Sequence, residues 1–183
     1  SLDREGIIAN RRRLNEILEL AHASGRPVYY WHREVTVWPE FLKAVPELRD
    51  ANGEFDLLGD AFETLLRYKL AKALDAVPAR DGIVLTLTEA DVSAIHNSTP
   101  GIYPPEQVVA KIVRIFAGEH AARGKRFILR SFGSIAKDYE DILAGAALAA
   151  KEFSFEVETK ITPYDFDPFL PDNPFMKRIP NLT

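Results

Sequence analysis

Apolar positions along the chain switch repeatedly between a helical period and short extended runs. From Arg4 to Ala23, Ile7, Ile8, Leu14, Ile17, Leu18 and Ala21 recur at helical spacing, and Ser24-Gly25 supplies a stop. The run Pro27-Val-Tyr-Tyr-Trp31-His32-Arg33-Glu34 follows at once and reads as a strand. After Trp38-Pro39 comes an irregular stretch with a short helical segment around Glu40 to Ala44, then polar sequence through Asn52-Gly53. Such an insertion between strand and helix is the kind that builds a functional rim. Asp60 to Val77 is an amphipathic helix with Phe62, Leu65, Leu66, Leu70 and Leu74 on one stripe. A second apolar run, Ile83-Val-Leu-Thr-Leu-Thr-Glu89-Ala-Asp91, leads into a loop broken by Asn97-Ser-Thr-Pro-Gly101 and Pro104-Pro105. Glu106 to Ala122 is the next helix, Gly124 its terminator, and Arg126-Phe-Ile-Leu-Arg130-Ser131 the third strand. Ser134 or Asp138 caps a helix reaching about Lys151. The fourth run, Phe153 to Lys160, continues to Asp165.

The order α-β-α-β-α-β-α-β predicts an α/β fold with a parallel sheet covered by helices, in a single domain over residues 1–183. No Gly-rich phosphate turn follows the first strand, which disfavours a dinucleotide fold. In the fourth run Phe153, Phe155 and Val157 share one face, and Ser154, Glu156, Glu158 and Lys160 the other. A barrel strand with its apolar face toward the helices and a polar face toward an enzyme's interior has this alternation. The expectation is therefore a (β/α)-barrel-like arrangement of about four strand–helix units, half of a (β/α)8 barrel. Half a barrel leaves sheet edges open, so the remainder of a longer chain or a homo-oligomer is expected to cover them.

Composition narrows the chemistry. A chain of 183 residues with 46% hydrophobic and 27% charged residues suits an ordinary globular core, and it contains no apolar run long enough to span a membrane. The net charge of −4 is mild, and Arg11-Arg12-Arg13 has Glu16 and Glu19 close by, which gives no footprint for nucleic acid. Without cysteine, disulfides, thiolate metal sites and a thiol nucleophile are excluded. Ser1-Leu-Asp-Arg-Glu lacks the apolar segment of a secretory leader and reads as an internal boundary, which leaves export open.

In parallel strand–helix arrays the chemistry gathers at the carboxyl ends of the strands. Glu89 stands there as a general acid or as a solvated turn carboxylate, and Asp91 competes with it. Arg130, beside Phe127, Ile128 and Leu129, either grips a carboxylate or sugar hydroxyls or pairs with Glu156 or Glu158. Lys160 is a candidate to hold a substrate anion and Asp165 to activate water, with a surface ion pair as the plainer alternative. Trp31 stacks on a sugar face or joins the core. His32 and Glu34 complete the dense group at the first strand's end; His22, His96 and His120 show no metal-ligand spacing, so a metal-assisted enzyme using His32 and Glu34 is the weaker idea and no cofactor is expected.

Taken in order, these strand ends resemble the α-glucuronidase family of glycoside hydrolases. Thr88-Glu89-Ala90 stands where that family has a Ser-Glu-Gly segment, Leu129-Arg130-Ser131-Phe132 is similar to its apolar-Trp-Arg-Ala-Phe strand, and Lys160-Ile-Thr-Pro163-Tyr164-Asp165-Phe166 keeps its lysine-to-aspartate interval. Asp172-Asn-Pro174-Phe175 echoes its next turn. The resemblance implies a (β/α)8 barrel and inverting removal of glucuronic acid from xylo-oligosaccharides, with Glu89 as acid, Asp165 as base, and Arg130 and Lys160 as contacts to the sugar carboxylate. Two positions depart from the family: its second carboxylate-binding lysine falls on Leu85, and Ala90-Asp-Val-Ser replaces its Gly-Pro-rich loop. Altered specificity, or a non-catalytic carbohydrate-binding protein on a degenerate barrel, follows from those departures.

Overall fold

A computed structural model describes residues 4–33, 37, 39–88, 103–133, 135–160 and 173. Helix α1 spans Arg4–Ala23, strand β1 Tyr29–Arg33, α2 Pro39–Ala44, α3 Asp60–Ala76, β2 Gly82–Thr86, α4 Pro105–Ala121, β3 Arg126–Ser131, α5 Ala136–Ala149 and β4 Glu156–Thr159. A 3₁₀ turn at Pro46–Leu48 lies between α2 and α3. Each helix occurs where the 3.6-residue period is strongest, and Pro105 opens α4 because the first turn has no use for its missing N–H. Asp138, at the third position of α5, accepts a hydrogen bond from the Ile135 N–H at 3.2 Å. It thereby holds the helix start as its spacing foretold; Ser134 lies outside the described residues.

The four strands are all parallel and in sequential order, β1-β2-β3-β4. Right-handed crossovers that never reverse direction place their helices on one side of the sheet. Alternation along the strands agrees. Ile83, Leu85 and Leu87, Phe127 and Leu129, and Phe155 belong to the buried core together with residues of α3, α4 and α5. The intervening positions, Tyr29, Trp31 and Arg33, Gly82, Val84 and Thr86, Arg126, Ile128 and Arg130, and Glu156 and Glu158, lie on the opposite face. The α/β class and the parallel sheet expected from the periodicity are thus present.

Helix α4 is the hub of the core. Val108, Val109, Ile112, Val113, Ile115 and Phe116 are all buried, which is why this helix is apolar round most of its circumference. Its approach to α5 is set by Gly145, where a Cβ would stand 2.4 Å from Val109 Cβ and 2.7 Å from the Glu106 carbonyl oxygen. The insertion between β1 and α3 is packed rather than loose. Leu48 and Leu57 enter the core, the Tyr103 hydroxyl donates to Asp50 Oδ2 at 2.9 Å, and the Lys111 ammonium donates to the Leu58 and Gly59 carbonyls at 2.6 and 2.9 Å.

One helix face is left exposed, and one expected strand boundary needs correction. The apolar stripe of α1 forms a helix with the expected bounds, yet of Ile7, Ile8, Ile17 and Leu18 only Leu18 is buried; Leu20 is exposed as well. α1 precedes an edge strand, and among the described residues nothing lies beyond that edge to cover the stripe. The fourth strand begins at Glu156 rather than Phe153. There the chain first closes the end of α5, with the Phe153 N–H donating to the Ala149 carbonyl at 3.1 Å, before it becomes extended. Phe153 and Phe155 still face the core, because a hydrophobic contact does not require ladder hydrogen bonds.

Candidate functional site

The sheet face away from the helices carries two arginine clusters, one at each end of the strands. At the carboxyl end Arg33, Thr86, Arg130 and Glu158 stand in register across the four strands. The Arg130 guanidinium lies 4.5 Å from the Trp31 ring centroid and 5.5 Å from that of Phe132, and its side chain is only 11% exposed. Two aromatic faces shield this cation from water, and their negative quadrupoles stabilise it without neutralising it. Glu158 Oε1 is 3.6 Å from Arg130 Nε, beyond hydrogen-bond reach, and that buried Nε has no hydrogen-bond partner among the described residues.

The neighbours of Arg130 are themselves fixed. Trp31 Nε1–H donates to Thr86 Oγ1 at 2.7 Å across the β1–β2 boundary, which sets the plane of an indole that is 54% exposed. The Thr88 hydroxyl donates to the Phe132 carbonyl at 2.6 Å and so ties together the chain just beyond β2 and β3. Lys160 Nζ lies 4.2 Å from the Phe132 ring centroid, placing a second cation on the same aromatic group. The Lys160 carbonyl accepts a hydrogen bond from Asn173 Nδ2 at 3.1 Å, with Asn173 buried. The chain therefore returns to the end of β4 thirteen residues later.

At the amino end of the same face, Arg126 forms a closed set. It donates from Nε to Glu156 Oε1 at 2.7 Å, from Nη2 to Glu156 Oε2, and from Nη1 to the Tyr29 hydroxyl, while its guanidinium lies 5.2 Å from the Tyr29 ring centroid. The hydrogen bonds from Arg126 hold the Glu156 carboxyl below its usual value.

The structure brings Trp31, Arg130 and Lys160 to one end of the sheet, around the Phe132 ring and the Arg130 guanidinium. The alternative pairing considered for Arg130 is present with Glu158, at an ion-pair distance of 3.6 Å, while Glu156 belongs to Arg126. His32 is not brought to this face. It points toward the helices, with its ring centroid 6.0 Å from that of Phe116, and burial followed by the charges of Lys69 and Arg80 holds its pKa below the ordinary range. Leu85, at the position of the family's second lysine, is fully buried in the core. Glu34, Glu89, Asp91 and Asp165 lie outside the described residues, as does most of the stretch from Ile161 to Thr183. Thr86, Phe132 and Glu158 also build the rim, although only their register and alternation in the strands, not their residue types, marked them out. Among the described residues no group of three or more His, Asp or Glu side chains is placed to hold a metal ion, and no helix is long and apolar enough to cross a membrane.

Comparison of the chain with protein families, with characterised proteins and with solved structures finds no match.

Proposed function

We propose that the chain belongs to a glycoside hydrolase related to the inverting α-glucuronidases, acting on a uronic-acid-containing oligomer of plant polysaccharide, with its four units forming half of a (β/α)8 barrel. The observation that carries this reading is Arg130: a guanidinium on a side chain only 11% exposed, whose buried Nε has an ion pair to Glu158 at 3.6 Å but no hydrogen-bond partner among the described residues, lying against Trp31 and Phe132 at the carboxyl ends of the strands, with Lys160 on the same phenyl ring. Aromatic faces suit the C–H face of a sugar, and two cations suit its carboxylate. Sequential strand order with helices on one side supports the barrel, whose remaining strands would cover the edges at β1 and β4.

In this reading Glu89, the residue after Thr88, protonates the glycosidic oxygen while Asp165, five residues after Lys160, activates water on the opposite face of the ring. Inversion requires the two carboxyl groups to stand roughly 6.5–9.5 Å apart, leaving room for that water. Glu89→Gln is expected to lower hydrolysis of glucuronoxylan oligomers by roughly 10²- to 10⁴-fold while binding of glucuronic acid, followed by calorimetry, persists. Unchanged hydrolysis in this variant would reject the assignment.

The burial of Leu85 favours a second reading, a carbohydrate-binding protein without turnover, because the family's second lysine is replaced by a side chain that faces the core. Uronic acid binding by the parent protein with no release of sugar from any glucuronoxylan oligomer would select it.

A further inference from the structure

On the other side of the sheet, at the edge formed by β1, a cavity of about 470 Å³ opens between β1 and α3, lined by Tyr30, His32, Lys69, Leu70, Val77 and Arg80 among others. It shares Trp31 with the Arg130 rim. Arg80 lies two residues before Gly82, at the amino end of β2, and Tyr30 and His32 alternate with the rim residue Trp31. Arg80 is 3% exposed, and neither its Nε nor its Nη2 has a hydrogen-bond partner among the described residues. Its guanidinium stands 5.3 Å from the Tyr30 ring centroid, and the Tyr30 hydroxyl is likewise buried without a partner.

The charged and titratable groups that act on Arg80 are Tyr30 and Arg123, and its own field, with that of Lys69, disfavours protonation of His32. His120 is also buried, donates from Nδ1 to the Phe116 carbonyl at 2.7 Å, and has its pKa lowered first by burial. A guanidinium removed from water with no counter-charge is among the least favourable groups a fold can carry. Arg80 and Tyr30 both line the cavity, and guanidinium N–H groups and a phenol hydroxyl without partners among the described residues are the donor types that receive a planar or tetrahedral oxyanion.

We propose that this cavity is a binding site for a small molecule bearing a carboxylate or phosphate monoester, with Arg80 as the anion-gripping residue and Tyr30 as a second donor. The cavity is much larger than an oxyanion, and Leu66, Leu70, Ala73 and Val77 give it an apolar wall, so the ligand carries an apolar body behind its charged group.

Phenyl phosphate and inorganic phosphate are the probes, titrated into the full chain by calorimetry at constant ionic strength, with the Arg80 Nε–Hε resonance followed by NMR. Both are expected to bind and shift that resonance, phenyl phosphate at least ~10-fold more tightly because its ring leaves water. Arg80→Met is expected to fold at least as stably as the parent in the absence of ligand, since it removes a lone buried charge, and to bind phenyl phosphate ~100-fold more weakly. Tyr30→Phe keeps the cation and is expected to weaken binding several-fold, which serves as the test if the methionine variant does not fold. Binding that persists in Arg80→Met, or no response of the Arg80 resonance to either probe, overturns the proposal. So does a dimer that dissociates on Arg80→Met while neither probe binds, because the oxyanion would then be a carboxylate of a second copy.

Discussion

Arg126 and Arg130 lie four residues apart on one strand and one face, yet they occupy opposite chemical situations. Arg126 spends its donors on Glu156 and Tyr29, with both ion-pair partners about half exposed to solvent. Arg130 is 11% exposed, faces two aromatic rings, and keeps a buried Nε that has an ion pair to Glu158 but no hydrogen-bond partner among the described residues. A guanidinium satisfied by a carboxylate in water is a fastening, worth little and replaceable. One shielded by aromatic rings, with its carboxylate beyond hydrogen-bond distance, keeps N–H donors for an anion brought from outside. The difference arises from neighbours: β4 places Glu156 within hydrogen-bond reach of Arg126, whereas Glu158 forms only a 3.6 Å ion pair with Arg130, whose guanidinium lies against Trp31.

The contrast is sharpest in ligand affinity. Arg130→Gln is expected to weaken binding of a glucuronic-acid-bearing xylo-oligosaccharide by ~100-fold in calorimetry, whereas Arg126→Gln leaves it within about 2-fold. Equal losses from the two variants would erase the distinction. A stability measurement probes the other end of the sheet. Gly82 sits beside Arg126, and a Cβ there would lie 2.2 Å from the Arg126 carbonyl oxygen and 3.0 Å from Tyr29 Cδ1. Gly82→Ala must therefore spread β2 from β3, at a cost of about 1–3 kcal/mol in urea unfolding, and tolerance of alanine would show that this end is looser than its contacts imply. Trp31→Leu should have a smaller effect on the upper cluster, reducing uronate affinity by roughly 3- to 10-fold, because it removes a cation–π face while Phe132 remains.

Much of this arrangement was legible in the residues. The alternation of apolar and polar side chains from Phe155 to Lys160 foretold which face meets the helices, because a strand with one buried face has little freedom of register. The convergence of Trp31, Arg130 and Lys160 followed from their places at strand ends. The fate of His32 did not. It is one residue from Trp31, and a group of polar residues at a strand's end does not announce that alternate members face opposite ways unless the start of pairing is known. The α1 stripe was legible as a helix but not in its burial, since periodicity says that a face is apolar and not whether a neighbour covers it. The orphaned Arg80 was invisible for a related reason: beside Asp81 in the sequence it looks paired, yet Asp81 binds the Val28 N–H at 2.6 Å and His22 Nε2 at 2.8 Å.

The smallest expected effect tests the fastening itself. Glu156 ordinarily titrates near 4.5, and the hydrogen bonds from Arg126 hold it lower in the folded chain. Between those two values the unfolded chain binds more protons than the folded one, so stability rises with pH across that window. The contribution is present in full above about pH 4.5 and disappears as the pH falls through the depressed value. Glu63 and Asp81 are held low in the same sense, so the acid limb of the parent alone does not isolate this pair. The isolating measurement is the difference in urea stability between parent and Glu156→Gln as a function of pH, repeated in an Arg126→Gln background. The parent is expected to show a small difference at neutral pH that closes on acidification and shrinks with added salt, because both partners are about half exposed. In the Arg126→Gln background the difference should be absent at every pH. A difference that survives there would mean that Glu156 owes its depressed value to something other than the arginine, and Arg126 would then be the freer of the two cations on this strand.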